Sequence, residues 1–199
     1  MTDLFQDKAR EWDTRPLSQI LATGVSTALL AQVPFTPEMR VMDFGAGTGL
    51  LSSRVAPLVK RIHAVDLSPA MLEQLVRKPE LAGKVEPVCQ DITRTALDQS
   101  FNVIMSAMAL HHVENTDRLL ACFSQHLVIG GFIALADLDK EDGSFHPDDA
   151  KGVCHLGFER DALRAKVEAA GFHAVSFTTA LEVTKEEKIY PIFLLTAKK

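Results

Sequence analysis

A turn with glycine at every second position is the part of this 199-residue chain with the clearest chemical meaning. Residues 41–50 read Val-Met-Asp-Phe-Gly-Ala-Gly-Thr-Gly-Leu, an apolar strand followed by the turn and the start of a helix. Glycine permits backbone with φ > 0 and lets a ligand lie directly against the main chain. In α/β proteins, a glycine turn between a parallel strand and a helix is where a nucleotide-like cofactor is held. The pattern therefore predicts such a site.

The spacing of the glycines separates two classes of cofactor. A dinucleotide site has the pattern G-x-G-x-x-G, which needs glycine at position 50, and this chain has Leu50. The chain has G-x-G-x-G instead, preceded by the acid Asp43. A hydride-transfer enzyme normally also carries a Tyr-x-x-x-Lys or comparable motif, and the single tyrosine, Tyr190, is followed by proline. A nicotinamide-dependent oxidoreductase therefore fits this sequence poorly.

A second acid follows the next apolar strand. Asp66 comes 21 residues after Gly45, at the end of the segment 61–66. A carboxylate in this place can accept charge-assisted hydrogen bonds from both hydroxyls of a ribose. It could also cap the helix that begins at Pro69, but Ser68 is better placed for that. Asp66 thus predicts an adenosine ribose without choosing between cofactors, because NAD-binding enzymes use the same device.

The elements that must position these residues alternate between strand and helix, which is the pattern of a parallel sheet covered on both faces. The link 184–188 is too short for a crossover helix, so the last two strands should be antiparallel. We predict a single α/β domain over residues 1–199, with a doubly wound, seven-stranded, mostly parallel sheet whose last strand is antiparallel. Residues 1–36 form a helical N-terminal extension, and residues 138–156 form a long loop on the substrate side. The predicted strands are Arg40–Phe44, Arg61–Asp66, Lys84–Cys89, Phe101–Ala107, Phe132–Asp137, His173–Val183 and Ile189–Ala197.

Composition narrows the class of partner. The net charge is −5 and lysine and arginine do not cluster, whereas proteins that bind nucleic acids usually carry a basic surface. The sequence has no apolar run near the ~20 residues that span a bilayer, and residues 1–16 lack the apolar core of a secretory signal. Three cysteines without a C-x-x-C pair argue against a disulfide framework or a zinc ribbon. We expect a cytoplasmic protein, and both a monomer and a homodimer remain open.

Five stretches, in this order, resemble the motifs of class I S-adenosylmethionine (SAM)-dependent methyltransferases, and most closely those of the small type 11, or ubiquinone-biosynthesis-like, family. The resemblance implies the class I fold, SAM as cofactor, S-adenosylhomocysteine (SAH) as product, and methyl transfer by in-line displacement to a small-molecule acceptor. A SAM-binding sensor or non-catalytic partner subunit remains the alternative. The stretches are VMDFGAGTGL, AVDLSP ending at Pro69, VCQDI ending at Ile92, MALHHV ending at Val113 and LVIGGFIALADL ending at Leu138.

The resemblance also implies which residues hold the cofactor. The glycine turn would bring backbone close to its methionine and ribose parts, Asp91 would accept from the adenine amino group, and Ser106 would lie near the sulfonium. The N-terminal segment would fold over SAM as a lid, although its spacing also fits an ordinary amphipathic helix packed on the sheet. The implied cofactor-binding residues are Lys8, Trp12, Asp43, Gly45, Ala46, Gly47, Gly49, Asp66, Leu67, Met71, Asp91, Ile92 and Ser106.

Three histidines are candidates for a general base, which an oxygen, nitrogen or sulfur acceptor would need. His111 is one of an adjacent pair, of which at most one residue can face a site along regular structure. His146 and His155 lie in the loop 138–156, beyond the carboxyl end of a strand, where open α/β sheets place their active sites. His155 is the preferred of these two because it leads into the last helix, although a purely structural role is open for all three. The sequence has no H-x-x-x-H, H-E-x-x-H or C-x-x-C spacing, so we expect no metal.

Overall fold

One seven-stranded sheet organises the computed structural model, which describes residues 3–147 and 150–199. The strand order is β3-β2-β1-β4-β5-β7-β6, and β7 runs antiparallel to both of its neighbours while the other pairs are parallel. The predicted fold class is thereby confirmed. The strands are β1 (Arg40–Phe44), β2 (Arg61–Asp66), β3 (Val85–Cys89), β4 (Phe101–Ala107), β5 (Leu127–Leu138), β6 (His173–Lys185) and β7 (Lys188–Lys198).

Helices cover both faces of the sheet. A 3₁₀ helix, Ala9–Thr14, and α1 (Pro16–Gln32) precede the first strand, and the other α-helices are α2 (Leu50–Val55), α3 (Pro69–Val76), α4 (Thr116–His126) and α5 (Arg160–Ala169). Short 3₁₀ helices, Ala56–Leu58, Pro79–Leu81 and Leu110–His112, lie between these elements. Ser68 caps α3, since its Oγ accepts the N–H of Met71 at 3.1 Å. None of the helices in the described ranges is long and apolar enough to cross a membrane.

Alternating side chains divide the apolar core between the two faces. In β7, Ile192 and Leu194 pack with α1, α2 and α3, whereas Phe193 and Leu195 pack with α4 and α5. All four are fully buried. Burying one such side chain contributes about 1.5–3 kcal/mol, so both faces hold the helices firmly and leave the strand ends to form the site.

One strand starts earlier than its sequence indicates. Glycine at positions 130 and 131 predicts a break before Phe132, yet β5 begins at Leu127 and runs through both glycines. A Cβ at Gly131 would lie 2.9 Å from the carbonyl oxygen of Asn102, at a register shift between β4 and β5. Glycine here therefore allows close approach of two strands and does not end one.

Candidate functional site

A cavity of about 1020 Å³ opens at the carboxyl ends of β1, β2 and β4. The last residue of each of these strands lines the cavity, namely Phe44, Asp66 and Ala107. The predicted site residues that line the cavity are Trp12, Asp43, Gly45, Ala46, Gly47, Asp66, Leu67, Met71, Asp91 and His155. Those outside its lining are Lys8, Gly49, Ile92, Ser106, His111 and His146.

The glycine turn forms the floor of the cavity. Gly45 has φ 68°, and a Cβ there would lie 2.3 Å from the Cβ of Ala109, so the turn touches the segment after β4. Gly47 has φ 55°, and a Cβ there would meet no atom within 4 Å. Gly49 lies away from the cavity, against Leu75 of α3. The backbone at Gly47 therefore faces open space that a ligand can fill.

Asp66 ties the turn to the next helix. Its Oδ2 accepts the N–H of Gly47 at 2.7 Å, and its Oδ1 accepts the N–H of Ser68 at 2.8 Å. Burial raises the pKa of this carboxyl, while the backbone hydrogen bonds from Ser68 and Gly47 lower it. The side chain is therefore held in one orientation at the cavity wall.

Asp43 lies deeper in the same floor. It is 1% exposed, and the Oγ of Ser52 donates to its Oδ2 at 2.6 Å. Burial raises the pKa of Asp43 to about 7, and the hydrogen bond from Ser52 opposes part of that rise. This carboxyl therefore carries a proton in a substantial fraction of molecules at neutral pH.

Of three further predicted cofactor residues, Asp91 lies in the cavity wall and Ile92 and Ser106 lie behind it. Asp91 is in the wall, where its Oδ1 accepts the N–H of Thr93 at 3.0 Å. Ile92 is 2% exposed and packs with α4 in the core. Ser106 is also buried, and its Oγ donates to the carbonyl of Phe44 at 2.8 Å. Ile92 and Ser106 thus support the wall from behind.

The N-terminal segment, residues 3–15, lies across one side of the cavity. Phe5 packs edge-on against Trp12, with 5.8 Å between ring centroids, and both residues line the cavity. Phe5 also packs edge-on against His112 at 5.6 Å. Lys8 lies outside the lining, but its charge contributes to lowering the pKa of His112. The segment therefore joins the cofactor side of the cavity to the histidines.

Of the adjacent histidines, the one that lines the cavity is His112 and not His111. The Nδ1 of His112 lies 2.7 Å from the carbonyl oxygen of Gly152, which can only accept. The ring therefore carries its proton on Nδ1 in the neutral form and leaves Nε2 as an acceptor. Burial and the neighbouring His111 lower the pKa of His112.

His111 is buried beneath this wall. Its Nδ1 lies 2.7 Å from Oδ1 of Asp137, and its Nε2 contacts no hydrogen-bond partner among the described residues. The ring of His146 lies 4.9 Å away, and burial together with His111 and His112 lowers the pKa of His146 to about 4. The rings of His111, His112 and His146 thus lie together as one group beside the cavity.

His155 is the predicted base that does line the cavity. Its Nε2 lies 2.9 Å from the carbonyl oxygen of Val113, so the proton of the neutral ring is on Nε2 and Nδ1 is bare. The N–H of His155 donates to the carbonyl of His111 at 3.1 Å, which holds the histidine's backbone in place. In residues 3–147 and 150–199, no three His, Cys, Asp or Glu side chains are arranged to hold a metal ion.

Two features of the site were not foreseen from the sequence. His112 stands in a 3₁₀ helix, Leu110–His112, in which successive side chains point in different directions, so the pair could not be resolved from spacing. Met108 lines the cavity with φ 57°, a strained conformation for a residue other than glycine, and its N–H donates to the carbonyl of Ala136 at 2.9 Å. Such strain costs about 1–3 kcal/mol and is concentrated at functional sites. No pattern of residue types signals it in advance.

Comparisons with known proteins agree with the resemblance found in the sequence. Residues 41–131 match the family model described as a methyltransferase domain. The chain is 28% identical to the ubiquinone biosynthesis O-methyltransferase of Pasteurella multocida, over 69% of this chain and 64% of that protein. It is also 28% identical to the malonyl-[acyl-carrier protein] O-methyltransferase of Bacillus cereus, over 61% of this chain and 45% of that protein. The chain thus spans between 45% and 64% of the length of these curated relatives.

Solved structures show the same fold. The N-methyltransferase NodS from Bradyrhizobium japonicum, solved in complex with SAH, superposes with a TM-score of 0.73 at 15% identity, covering 99% of this chain and 94% of that one. A SAM-dependent methyltransferase from Clostridium acetobutylicum superposes with a TM-score of 0.74 at 16% identity, covering 98% of each chain. Together with the match to the methyltransferase-domain model and the similarity to the named relatives, this shared fold confirms the predicted resemblance.

Proposed function

Because residues 41–131 match a methyltransferase-domain model and the chain has the class I methyltransferase fold, we propose that this protein transfers a methyl group from SAM to a small-molecule acceptor. The observation that carries the proposal is the pairing of Asp66 with Gly47 in the cavity floor. The turn offers open backbone where a Cβ would otherwise project, and the fixed carboxylate stands beside it. The cavity volume of about 1020 Å³ leaves room for a cofactor and an acceptor together.

The residues present fit SAM. Asp66 would accept from the ribose hydroxyls, Asp91 from the adenine amino group, and Asp43 would face the amino-acid end. Leu67 and Met71, which follow Asp66 along the lining, would supply apolar surface for the base and ribose. When bound, SAM supplies a methyl group that is already activated on a sulfonium.

The chain's own contribution is then to orient the acceptor and exclude water. Trp12 and Phe5 form an aromatic side of the cavity, and we propose that the N-terminal segment, which includes Lys8, acts as a lid over the cofactor. Small residues follow β4, where Ala107 and Ala109 line the cavity and leave space beside the glycine turn. The acceptor would bind between this gap and the side of the cavity formed by His112 and His155.

We assign the general base to His155. Among the three predicted bases it alone lines the cavity, and its bare Nδ1 can take a proton from an oxygen, nitrogen or sulfur acceptor. His111 would act through it, because its carbonyl oxygen accepts the N–H groups of Cys154 at 2.8 Å and His155 at 3.1 Å. Asp137 holds the ring of His111, and His146 packs beside that ring. His111 and His146 are thus proposed as positioning residues.

The proposal includes a cytoplasmic location, supported by three cysteines, Cys89, Cys122 and Cys154, whose thiols are all free. A SAM-binding protein that does not methylate would use the same cofactor residues. Turnover separates the two functions, because only the enzyme releases SAH as acceptor is consumed.

A thermal-shift titration with SAM, SAH and NAD⁺ tests the proposal. Ligand at about 100 times its dissociation constant adds about 2.7 kcal/mol. This corresponds to a rise of roughly 5–10 °C in the melting temperature for a chain of this size. We expect the rise with SAM and SAH, not with NAD⁺, and its loss in Asp66→Ala. Asp98→Ala, which removes an exposed carboxylate away from the cavity, is the matched control. Failure of both SAM and SAH to shift the folded wild-type protein contradicts the proposal.

A further inference from the structure

We propose that Asp13 is a latch that couples the N-terminal segment to the glycine turn, and thereby sets the rate at which SAM enters and SAH leaves the cavity. The inference rests on the proposed function, because SAH is the ligand whose exchange it concerns. Asp13 does not line the cavity, so it acts as a positioning residue through Thr48 and Lys78.

Asp13 joins three parts of the chain, two through its carboxylate and one through its backbone carbonyl. Its Oδ1 accepts the hydroxyl of Thr48 at 2.5 Å, and its Oδ2 lies 2.6 Å from the ammonium of Lys78. The carbonyl of Asp13 accepts the side-chain amide of Gln19 in α1 at 2.7 Å. One residue thus fastens the segment to the glycine turn, to the end of α3 and to α1.

Thr48 makes this contact relevant to the cofactor. It stands between Gly47 and Gly49 in the turn and is 1% exposed, so its hydroxyl has no access to bulk water. A buried hydroxyl that loses its acceptor is left unsatisfied, which costs free energy. Release of Asp13 therefore costs free energy in the same turn that presents the backbone of Gly47 to the cavity.

The ion pair between Asp13 and Lys78 should be stronger than a fully solvent-exposed salt bridge. The side chain of Lys78 is 15% exposed and that of Asp13 is 34% exposed, so water screens this pair less than a fully solvated one. Hydrogen bonds that involve a charged group are about twice as strong as neutral ones. Both oxygens of Asp13 make such contacts.

The contacts of Asp13 with Thr48 and Lys78 lie at the N-terminal segment proposed as the lid. Trp12, its neighbour, lines the cavity, and a second tie lies at the other end of the segment, where the hydroxyl of Ser68 donates to Oδ2 of Asp3 at 2.9 Å. Residues 3–15 thus cross the cavity between two fastenings, one at the glycine turn and one at the start of α3. A ligand enclosed beneath Trp12 leaves only after one of them opens.

Stopped-flow measurement of SAH release tests the latch, with fluorescence of the single tryptophan, Trp12, as the signal and displacement of radiolabelled SAH as a second readout. Asp13→Asn keeps an oxygen for Thr48 but removes the ion pair, and Thr48→Val keeps the shape but removes the hydroxyl. We expect each to speed release roughly tenfold, the effect of losing one charge-assisted hydrogen bond. Thr48→Ser restores the hydroxyl and should release SAH at nearly the wild-type rate.

Asp7→Asn, an exposed carboxylate in the same segment, is the matched control and should not change the rate. Equal release rates in wild type, Asp13→Asn and Thr48→Val would overturn the latch while leaving the proposed function intact. Absence of SAH binding to the folded wild-type protein would instead reject the proposed function, and the latch with it.

Discussion

His111 and Asp137 form a buried pair, with 2.7 Å between Nδ1 of the histidine and Oδ1 of the carboxylate. Asp137 is fully buried and also accepts the N–H of His111 at 3.2 Å and that of Leu138 at 2.8 Å. The pair therefore links the end of β5 to the 3₁₀ helix after β4. Through the carbonyl of His111 it also holds the backbone of His155.

Substitution of Asp137 should weaken the whole fold. Asp137→Leu removes the acceptor of three buried donors, and we expect the free energy of unfolding to fall by about 3 kcal/mol or more. Urea denaturation measures this directly. Asp117→Leu removes an exposed carboxylate that pairs with Lys166, and its effect should stay below about 1 kcal/mol. Similar midpoints for the two variants would show that the pair does not stabilise the protein.

The assignment of the base predicts a split between binding and turnover. His155→Gln should lower kcat by a factor of about 10²–10⁴, the usual contribution of a positioned base, and leave the dissociation constant of SAH unchanged. SAH formation with an acceptor found by screening gives kcat, and calorimetry gives the dissociation constant. His173→Gln, an exposed histidine in β6, serves as the control. Full turnover in His155→Gln would exclude this role for His155.

The two glycines of the turn should respond differently to the same substitution. Both have positive φ, so alanine at either position costs about 1–2 kcal/mol in backbone strain. Gly45→Ala adds a collision with Ala109 at 2.3 Å and should lower the melting temperature much further than Gly47→Ala. Gly47→Ala should fold but bind SAH at least tenfold more weakly, because its new methyl group projects into the cavity. Equal SAH affinity in Gly47→Ala and wild type would place the ligand elsewhere.

The raised pKa of Asp43 predicts how stability depends on pH. Its value is about 7 in the folded protein and 3.8 for the free side chain, so the folded state holds a proton that the unfolded state has lost between these values. The free energy of unfolding should therefore fall as pH rises from about 4 to 7. Urea denaturation across this range measures the free energy of unfolding of the wild type and of Asp43→Asn. The difference between the two values, wild type minus variant, should fall as pH rises. A flat difference would contradict the buried, protonated carboxyl.

His146 should act in the opposite direction. Its pKa is about 4 in the folded protein and 6.5 for the free side chain, so the unfolded state binds the extra proton between these values. Stability from this residue is therefore present above pH 6.5 and is lost as pH falls toward 4. The difference between wild type and His146→Gln isolates this contribution from that of Asp43. A difference that grows as pH falls would show that the ring is protonated in the folded state.

The parts of this molecule that sequence predicts best are those in which local pattern and tertiary structure agree. Strands β1, β2 and β4 have the predicted bounds because at least half of the residues in each are apolar and most are buried in the sheet. β5 differs because its two glycines serve a close approach between strands that no local pattern reveals.

The candidate site divides in the same way. Asp43 and Asp66 could be located because they stand in or at the end of a strand beside a recognisable turn. The choice of His112 over His111 depends on how a 3₁₀ helix sits against the cavity. The contact of Asp13 with Thr48 joins residues 35 positions apart, and only packing brings them together. Long-range pairs of polar side chains are thus what the sequence alone does not provide.

Calorimetric titration of the purified protein with SAH tests most directly whether the cavity binds this cofactor. We expect one SAH bound per chain, with binding lost in Asp66→Ala although that variant stays folded. Wild-type protein that is folded and free of copurified ligand, yet gives no heat of binding with SAH or SAM, would contradict this expectation.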